Sequence, residues 1–334
     1  MKIALISDAW SPQVNGVVTT LQTTCRLLRD KGHTIETITP DQFRSWPCPS
    51  YPEIRLALGC GPKLRARLEA FQPDAIHIAT EAPLGLAARA YCRRRQLPFT
   101  TSFHTRFAEY VQLRTGAPLS WGYAFLRWFH NGGERMMTAT PGLVAEMKTR
   151  GFRNAVLWSR GVDTELFCPR SKDFLSAPRP ILLYTGRVAV EKNIEAFLRL
   201  DTPGTKVVVG DGPQREELQQ RHPDTRFVGY QFGEALARHM AAADVFVFPS
   251  LTDTFGLVML EALACGVPVA AFPVEGPLDV ILDSRVGCLD DDLNKAVQTA
   301  LTLDPQDCRE YALRYSWQDC AGLFESYLAP IPRG

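Results

Sequence analysis

The segment from Asp244 to Phe272, DVFVFPSLTDTFGLVMLEALACGVPVAAF, decides the architecture. DVFVFPS (244–250) is a short continuous apolar run, the pattern of a strand buried on both faces. GLVMLEALACG (256–266) then reads as a buried helix closed by Gly266, and PVAAF (268–272) returns to a strand. Strand, helix and strand in so short a span make a crossover unit with parallel strands. Two carboxylates stand in it, Asp253 just before the helix and Glu261 inside it. Charge is costly to bury unless it is paired or hydrogen-bonded, so these two point to a polar ligand.

The same alternation extends outward. KIALISD (2–8), HTIETIT (33–39), DAIHIA (74–79), PFTTSFH (98–104), RMMTAT (135–140) and AVLWSRG (155–161) read as strands, with helical stretches such as 17–31 and 83–96 between them. The pattern restarts with ILLYTGR (181–187), TKVVVGDG (205–212) and TRFVGY (225–230). The expected fold class is therefore α/β, with parallel sheets covered on both faces and two such domains. A linker rich in Pro and charge spans about 164–179, and WQDCAGLFESYLAPI (317–331) forms an amphipathic helix able to dock on either domain.

Composition narrows the class. Of 334 residues, 46% are hydrophobic and 22% charged, as in soluble globular proteins, and a net charge of +1 argues against bulk nucleic-acid binding. The nine cysteines are odd in number, scattered and without a C-x-x-C pair, which suits reduced thiols in a cytoplasmic protein. The apolar run in MKIALISDAW is too short for a signal peptide, and no stretch approaches the roughly 20 apolar residues of a spanning helix.

Open parallel sheets bind ligands at the carboxyl ends of their strands, so the loops after strands carry the information. In SPQVNGVV (11–18), Asn15-Gly16 permits a tight turn before a helix whose N-terminus suits an anion, although an ordinary capped turn explains it equally well. The loop is not G-x-G-x-x-G, which weakens a dinucleotide reading. TSFHTRFAEYV (101–111) sets His104 at a strand end beside Arg106 and near Glu109. TGRVAVEKN (185–193) places Gly186, Arg187 and Lys192 at the head of a helix, suited to a doubly charged diphosphate. VVVGDGP (207–213) turns through Gly210 and Gly212. A phosphate at the amides of Phe255, Gly256 and Leu257 would have Asp253 on one flank and Glu261 on the other, one for a donor sugar and one for a ribose.

Taken together, PQVNGVV, HIATEAPLG, SFHT, SRGVDTELF, GRVAVEKN, VGDGP and ADVFVFPSLTDTFGLVMLEALACGVPV resemble a family 4 retaining glycosyltransferase. The family pattern E-x-F-G-x-x-x-x-E is met with Asp253 in the first position and Glu261 in the second. The blocks NGVV and HIATE look most like α-mannosyltransferases and glycosyl- or sulfoquinovosyl-diacylglycerol synthases. The resemblance implies the GT-B fold, two Rossmann-like doubly wound domains facing a deep cleft. It implies an N-terminal acceptor-side domain of residues 1–164 plus a returning 317–334, and a nucleotide-sugar-binding domain of 165–316. It also implies site roles. Asn15 and Gly16 approach the diphosphate or acceptor, and His104 contacts the transferred sugar. Arg187 and Lys192 neutralise the leaving diphosphate, with Gly186 and Gly212 in the donor loops. Asp253 holds the donor sugar, amides at Phe255, Gly256, Leu257 and Val258 bind phosphate, and Glu261 takes the ribose hydroxyls.

The expected donor is a UDP- or GDP-sugar, with retention of configuration, no metal and no cofactor. The acidic run DDD (290–292) reads as a solvated helix start. Basic and aromatic segments at 61–71, 91–97 and 121–137 suit a lipid acceptor at an anionic membrane surface on the cytoplasmic side, or a core helix beside a solvated charged face. A soluble or polysaccharide acceptor, a nucleotide-sugar epimerase and a non-catalytic nucleotide-sugar-binding protein are the rival readings.

Overall fold

The structure, a computed structural model, describes residues 1–48 and 51–332, without the side chains of 51–54, 113 and 114. Two residues of the expected returning segment, 333 and 334, lie outside the described residues. The chain separates into two compact units, Met1–Ser159 with the segment from Trp317 onward, and Arg160–Ser316.

The first unit runs β1 (Lys2–Ile6), α1 (Gly16–Asp30), β2 (Thr34–Ile38), β3 (Ser45–Cys48), β4 (Tyr51–Ala57), α2 (Gly61–Phe71), β5 (Ala75–Ile78), α3 (Pro83–Arg95), β6 (Thr100–Phe103), α4 (Phe107–Thr115), α5 (Leu119–His130), β7 (Arg135–Thr138), α6 (Pro141–Thr149) and β8 (Ala155–Leu157). The second runs β9 (Ile181–Thr185), α7 (Ile194–Leu198), β10 (Thr205–Val209), α8 (Arg215–Arg221), β11 (Arg226–Gly229), α9 (Gly233–Ala242), β12 (Val245–Phe248), α10 (Leu257–Ala264), β13 (Val269–Ala271), α11 (Glu275–Val280), β14 (Gly287–Leu289), α12 (Leu293–Ala300) and α13 (Pro305–Ala312). Helix α14 (Trp317–Tyr327) completes the first unit.

Each unit is built on a six-stranded parallel sheet, ordered β2-β1-β5-β6-β7-β8 in the first and β11-β10-β9-β12-β13-β14 in the second. Both are Rossmann-like. Strands such as β5, β6, β9 and β12 are buried at every position, because helices cover both faces. In the second unit Leu182, Val208, Val245 and Val247 pack with Phe197 of α7 and Val297 of α12. The strand order reverses between β1 and β5 in the first sheet and between β9 and β12 in the second. Ligands of open parallel sheets bind at such switch points.

The antiparallel pair β3–β4 was not anticipated from the sequence, because SWPC lacks alternation and carries Pro47. Proline is tolerated in such a two-stranded ribbon, away from the interior of a sheet. Strand β14 was likewise unforeseen in its three residues. The acidic run starts a helix through specific bonds: Asp292 accepts from the amides of Asn294 and Lys295, and Asp290 pairs with Lys295 at 2.7 Å. All nine cysteines are free. Among the described residues no group of His, Cys, Asp and Glu could hold a metal ion, and no helix is long and apolar enough to cross a membrane.

Helix α14 is anchored by Phe324, fully buried, and by the Trp158 indole, which donates to the Cys320 carbonyl at 3.0 Å. Lys31, the cap residue after α1, pairs with Glu325 at 3.2 Å, and Arg135 donates to the Tyr327 carbonyl at 2.9 Å. Replacing Phe324 by Ala should cost about 3–5 kcal/mol, read as a lowered denaturant midpoint, since it removes a large buried ring and leaves a cavity.

Candidate active site

In the second unit the loops after β9, β10 and β12 meet at the switch point. Gly210 follows β10 and donates from its amide to the Gly229 carbonyl at 2.9 Å. Its φ is 153°, and a Cβ there would lie 1.8 Å from the Gly186 carbonyl oxygen, so no side chain fits. This close approach stacks the 186 loop on the 210 loop. The Val188 amide donates to Asp211 at 2.9 Å and the Tyr184 hydroxyl to the Arg187 carbonyl at 2.7 Å.

Lys192 does not open a helix. It ends a short 3₁₀ turn, Val190–Lys192, after which Asn193 adopts a left-handed φ of 50° and leads into α7. The Asn193 side chain donates to the Pro249 carbonyl at 3.1 Å, and Thr252 donates to the Glu191 carbonyl at 3.3 Å. The Lys192 ammonium pairs with Asp253 at 2.5 Å. The expectation treated Lys192 and Asp253 as independent contacts; in the structure they form one bridge across the switch point.

Helix α10 begins after Gly256, whose φ of 82° is the left-handed region. A Cβ at Gly256 would lie 2.8 Å from both Phe248 and Met259. The turn leaves the first amides of α10 without intrahelical acceptors, next to Asp253. Phe255 is buried, and Met259, Leu260 and Leu263 anchor the helix in the core. Arg309 donates to the Ala264 carbonyl at 2.8 Å and so occupies an acceptor at the other end. Gly266 follows the cap residue Cys265 rather than being the cap itself. Glu261 is the only charge on α10, and burial pushes its carboxyl up to about 7. Nearby strand ends carry buried oxygens without a hydrogen-bond partner among the described residues: Thr185 Oγ1, Ser250 Oγ and Asp253 Oδ2. Such groups call for an explanation in a folded protein, and a polar ligand is one.

In the first unit, Asn15 caps α1, its Oδ1 accepting from the Val18 amide at 3.0 Å, and Gly16 is the first helical residue. His104 follows β6. Its Nε2 lies 2.8 Å from Ser102 Oγ, and its ring meets the edge of Trp158 at 5.8 Å. Arg106 pairs with Glu146 at 2.5 Å and with Glu109 at 3.2 Å, and Tyr123 donates to Glu109 at 2.6 Å. Arg106 is thus tied into an ion-pair network.

The chain matches Glycosyltransferase Family 4 over residues 14–166, mostly in the first unit, and Glycosyl transferases group 1 over residues 179–303, in the second. The chain is 32% identical over 317 residues to a GDP-mannose-dependent alpha-mannosyltransferase of Mycolicibacterium smegmatis, covering 86% of this chain and 84% of that one. The chain is a family 4 glycosyltransferase. This glycosyltransferase is also 26% identical to an alpha-monoglucosyldiacylglycerol synthase of Streptococcus pneumoniae, covering 94% of this chain and 81% of the relative. Its fold is that of a sucrose-phosphate synthase from Thermosynechococcus elongatus, with a TM-score of 0.77 at 21% identity over 97% of both chains.

The sequence reading of the glycosyltransferase passed over several polar groups at the strand ends. Asp8 follows β1 and accepts from the amides of Leu84 and Gly85 at 3.0 and 3.2 Å and from Thr80 Oγ1 at 2.9 Å. Burial outweighs these bonds and pushes its carboxyl up to about 6. Glu81 lies 2.9 Å from the buried His130 ring. An acid at the end of the first strand and polar residues inside β6 were the available signals.

The titration of Glu261 sets a pH dependence. Its carboxyl sits near 4.5 when unfolded and about 7 when folded, so the folded chain holds the extra proton between those values. Stability of the ligand-free protein from this group should fall as pH rises from 4.5 to 7 and then level off. Glu261→Gln should flatten that slope in chemical denaturation measured across pH.

Proposed function

We propose that this glycosyltransferase moves a hexosyl unit from a UDP- or GDP-sugar to a hydroxyl of a membrane lipid, such as a diacylglycerol, with retention and without a metal. The second unit is the nucleotide-sugar-binding domain, and the first, with α14, is the acceptor side. The observation that carries the reading is the Lys192–Asp253 bridge beside the open amides of α10. The Lys192 ammonium, held in place by Asp253, and the helix N-terminus put positive charge where a diphosphate leaving group develops negative charge.

The anomeric C–O bond breaks, and its electron pair goes to the terminal phosphate oxygen. Arg187, Lys192 and the amides of Gly256, Leu257 and Val258 stabilise that charge. The acceptor oxygen bonds the anomeric carbon on the same face, and its proton passes to a donor phosphate oxygen. Asp253 orients the sugar through its second oxygen, His104 contacts the same sugar, and Glu261 accepts the ribose hydroxyls. Gly186 and Gly212 keep the loops close. The base lies along Val228–Phe232, where Tyr230 and Phe232 are exposed and stack at 5.9 Å.

For the acceptor, α5 supplies the supporting surface. Tyr123, Leu126 and Phe129 face the core, while Trp121 and Trp128 are 72% and 53% exposed. Seven residues apart, these two indoles share one helix face. The Arg89 guanidinium lies 3.7 Å over the Trp128 ring, and Arg93, Arg94 and Arg95 are exposed at the end of α3. Exposed indoles beside arginines suit the interface of an anionic bilayer on the cytoplasmic side. The named activity of the diacylglycerol-glycosylating relative supports the same acceptor class.

Calorimetric titration with UDP, GDP and ADP, with and without a chelator, tests the donor: one nucleotide should bind, and the chelator should not matter. Lys192→Ala and Arg187→Ala should each lower kcat roughly 100- to 1,000-fold. His104→Ala should lose turnover with little change in nucleotide affinity; normal turnover would remove His104 from the site. Sedimentation with phosphatidylglycerol and phosphatidylcholine vesicles tests the surface. Binding should need the anionic lipid, and the Trp121→Ala/Trp128→Ala double variant should weaken it by roughly tenfold or more.

A further inference from the structure

Residues 100, 102 and 104 point to one face, because side chains alternate along a strand. On the neighbouring strand β5, His77 is in register with Thr100. Its Nδ1 lies 2.9 Å from Thr100 Oγ1 and its Nε2 3.1 Å from Ser102 Oγ, and Ser102 Oγ lies 2.8 Å from His104 Nε2. Thr100, His77 and Ser102 are fully buried. Phe324 of α14 meets the His77 ring edge at 4.7 Å, and Trp158 meets both His77 and His104. Burial keeps His77 neutral, so its ring carries one proton.

Donor accounting fixes the direction of this chain. The Thr100 hydroxyl has one proton, and among the described residues its only hydrogen-bond neighbour is His77 Nδ1. A buried donor left unused is costly, so Thr100 donates to Nδ1 and the His77 proton sits on Nε2. That proton goes to Ser102 Oγ. The Ser102 proton then has two choices, the Ala79 carbonyl at 3.4 Å and His104 Nε2 at 2.8 Å. Only the second is a normal O–H donor distance.

We propose that Thr100, His77 and Ser102 form a one-way hydrogen-bond chain that holds His104 with Nε2 accepting and the ring proton on Nδ1. His104 thereby meets the transferred sugar as a donor, and Ser102 and His77 are positioning residues. The inference rests on the proposed contact between His104 and the sugar. It makes the wall formed by Trp158 and α14 part of the catalytic geometry.

Nitrogen-15 NMR of the full-length protein labelled at histidine tests the tautomer directly. Wild type should show His104 protonated at Nδ1 when neutral, and Ser102→Ala should shift this toward a mixture of tautomers. In kinetics, Ser102→Ala should lower kcat roughly tenfold while calorimetric nucleotide affinity stays unchanged, and Ser102→Thr should restore most of the rate. A wild-type His104 protonated at Nε2 overturns the chain whatever the variants do. Full turnover by Ser102→Ala alongside lost turnover by His104→Ala also overturns it, but leaves the sugar contact standing. Full turnover by both variants rejects the sugar contact itself.

Discussion

The bridge between Lys192 and Asp253 ties together the two loops that diverge where the second sheet reverses its strand order. One loop leaves β9 and the other leaves β12, and without a link they would be independent surface segments. Lys192 comes from a turn that Asn193 pins to the Pro249 carbonyl, so the ammonium is positioned by the backbone on both sides of the gap. Two partly buried charges gain little stability from each other, because desolvation offsets most of the attraction. What the pair supplies is placement. It holds a carboxylate oxygen and a cation at the head of α10, where the amides already favour an anion.

Much of this was legible in the chain. Short fully apolar runs separated by amphipathic stretches specify parallel strands under helices, and the restart near residue 180 specifies the second sheet. The glycines and charges just after the strands mark the loops. The partner of Lys192 was not legible, because it depends on which strand lies beside β9, and the sheet order is set by packing rather than by local pattern. The 3₁₀ turn before α7 was hidden for a related reason: VAVEKN has no residue that forbids a helix, and the Asn193 bond to a distant carbonyl decides its path. In the aromatic run of α5, sequence gave two readings. The helix puts one face in the core and leaves Trp121 and Trp128 outside, and the role of that outer face stays a proposal.

Polar residues inside β5 and β6 were the hardest to read. A histidine or serine in a buried strand looks, in a string of letters, like the solvent face of an alternating strand. Only the register of β5 against β6 reveals that His77, Thr100 and Ser102 meet one another. The same register places them under α14, which begins more than two hundred residues later. Long-range packing thus creates a buried polar cluster that no local motif announces.

The buried acids divide by how their oxygens are used, and the division separates scaffold from site. Asp8 and Glu261 are both raised by burial, yet Asp8 accepts two amides and a hydroxyl, all from the loop and helix it caps. Its bonding capacity is spent on holding α3 against β1, so removing it would damage the fold before it touched chemistry. Glu261 is raised by burial alone, and Asp253 has one oxygen bonded and one without a partner. A buried carboxylate oxygen left without a hydrogen bond, as Asp253 Oδ2 is among the described residues, is unfavourable in the empty protein. A hydrogen-bond donor from a ligand would offset that cost. On the proposed reading, a hydroxyl of the donor sugar fills that role, beside a helix N-terminus that favours its phosphates.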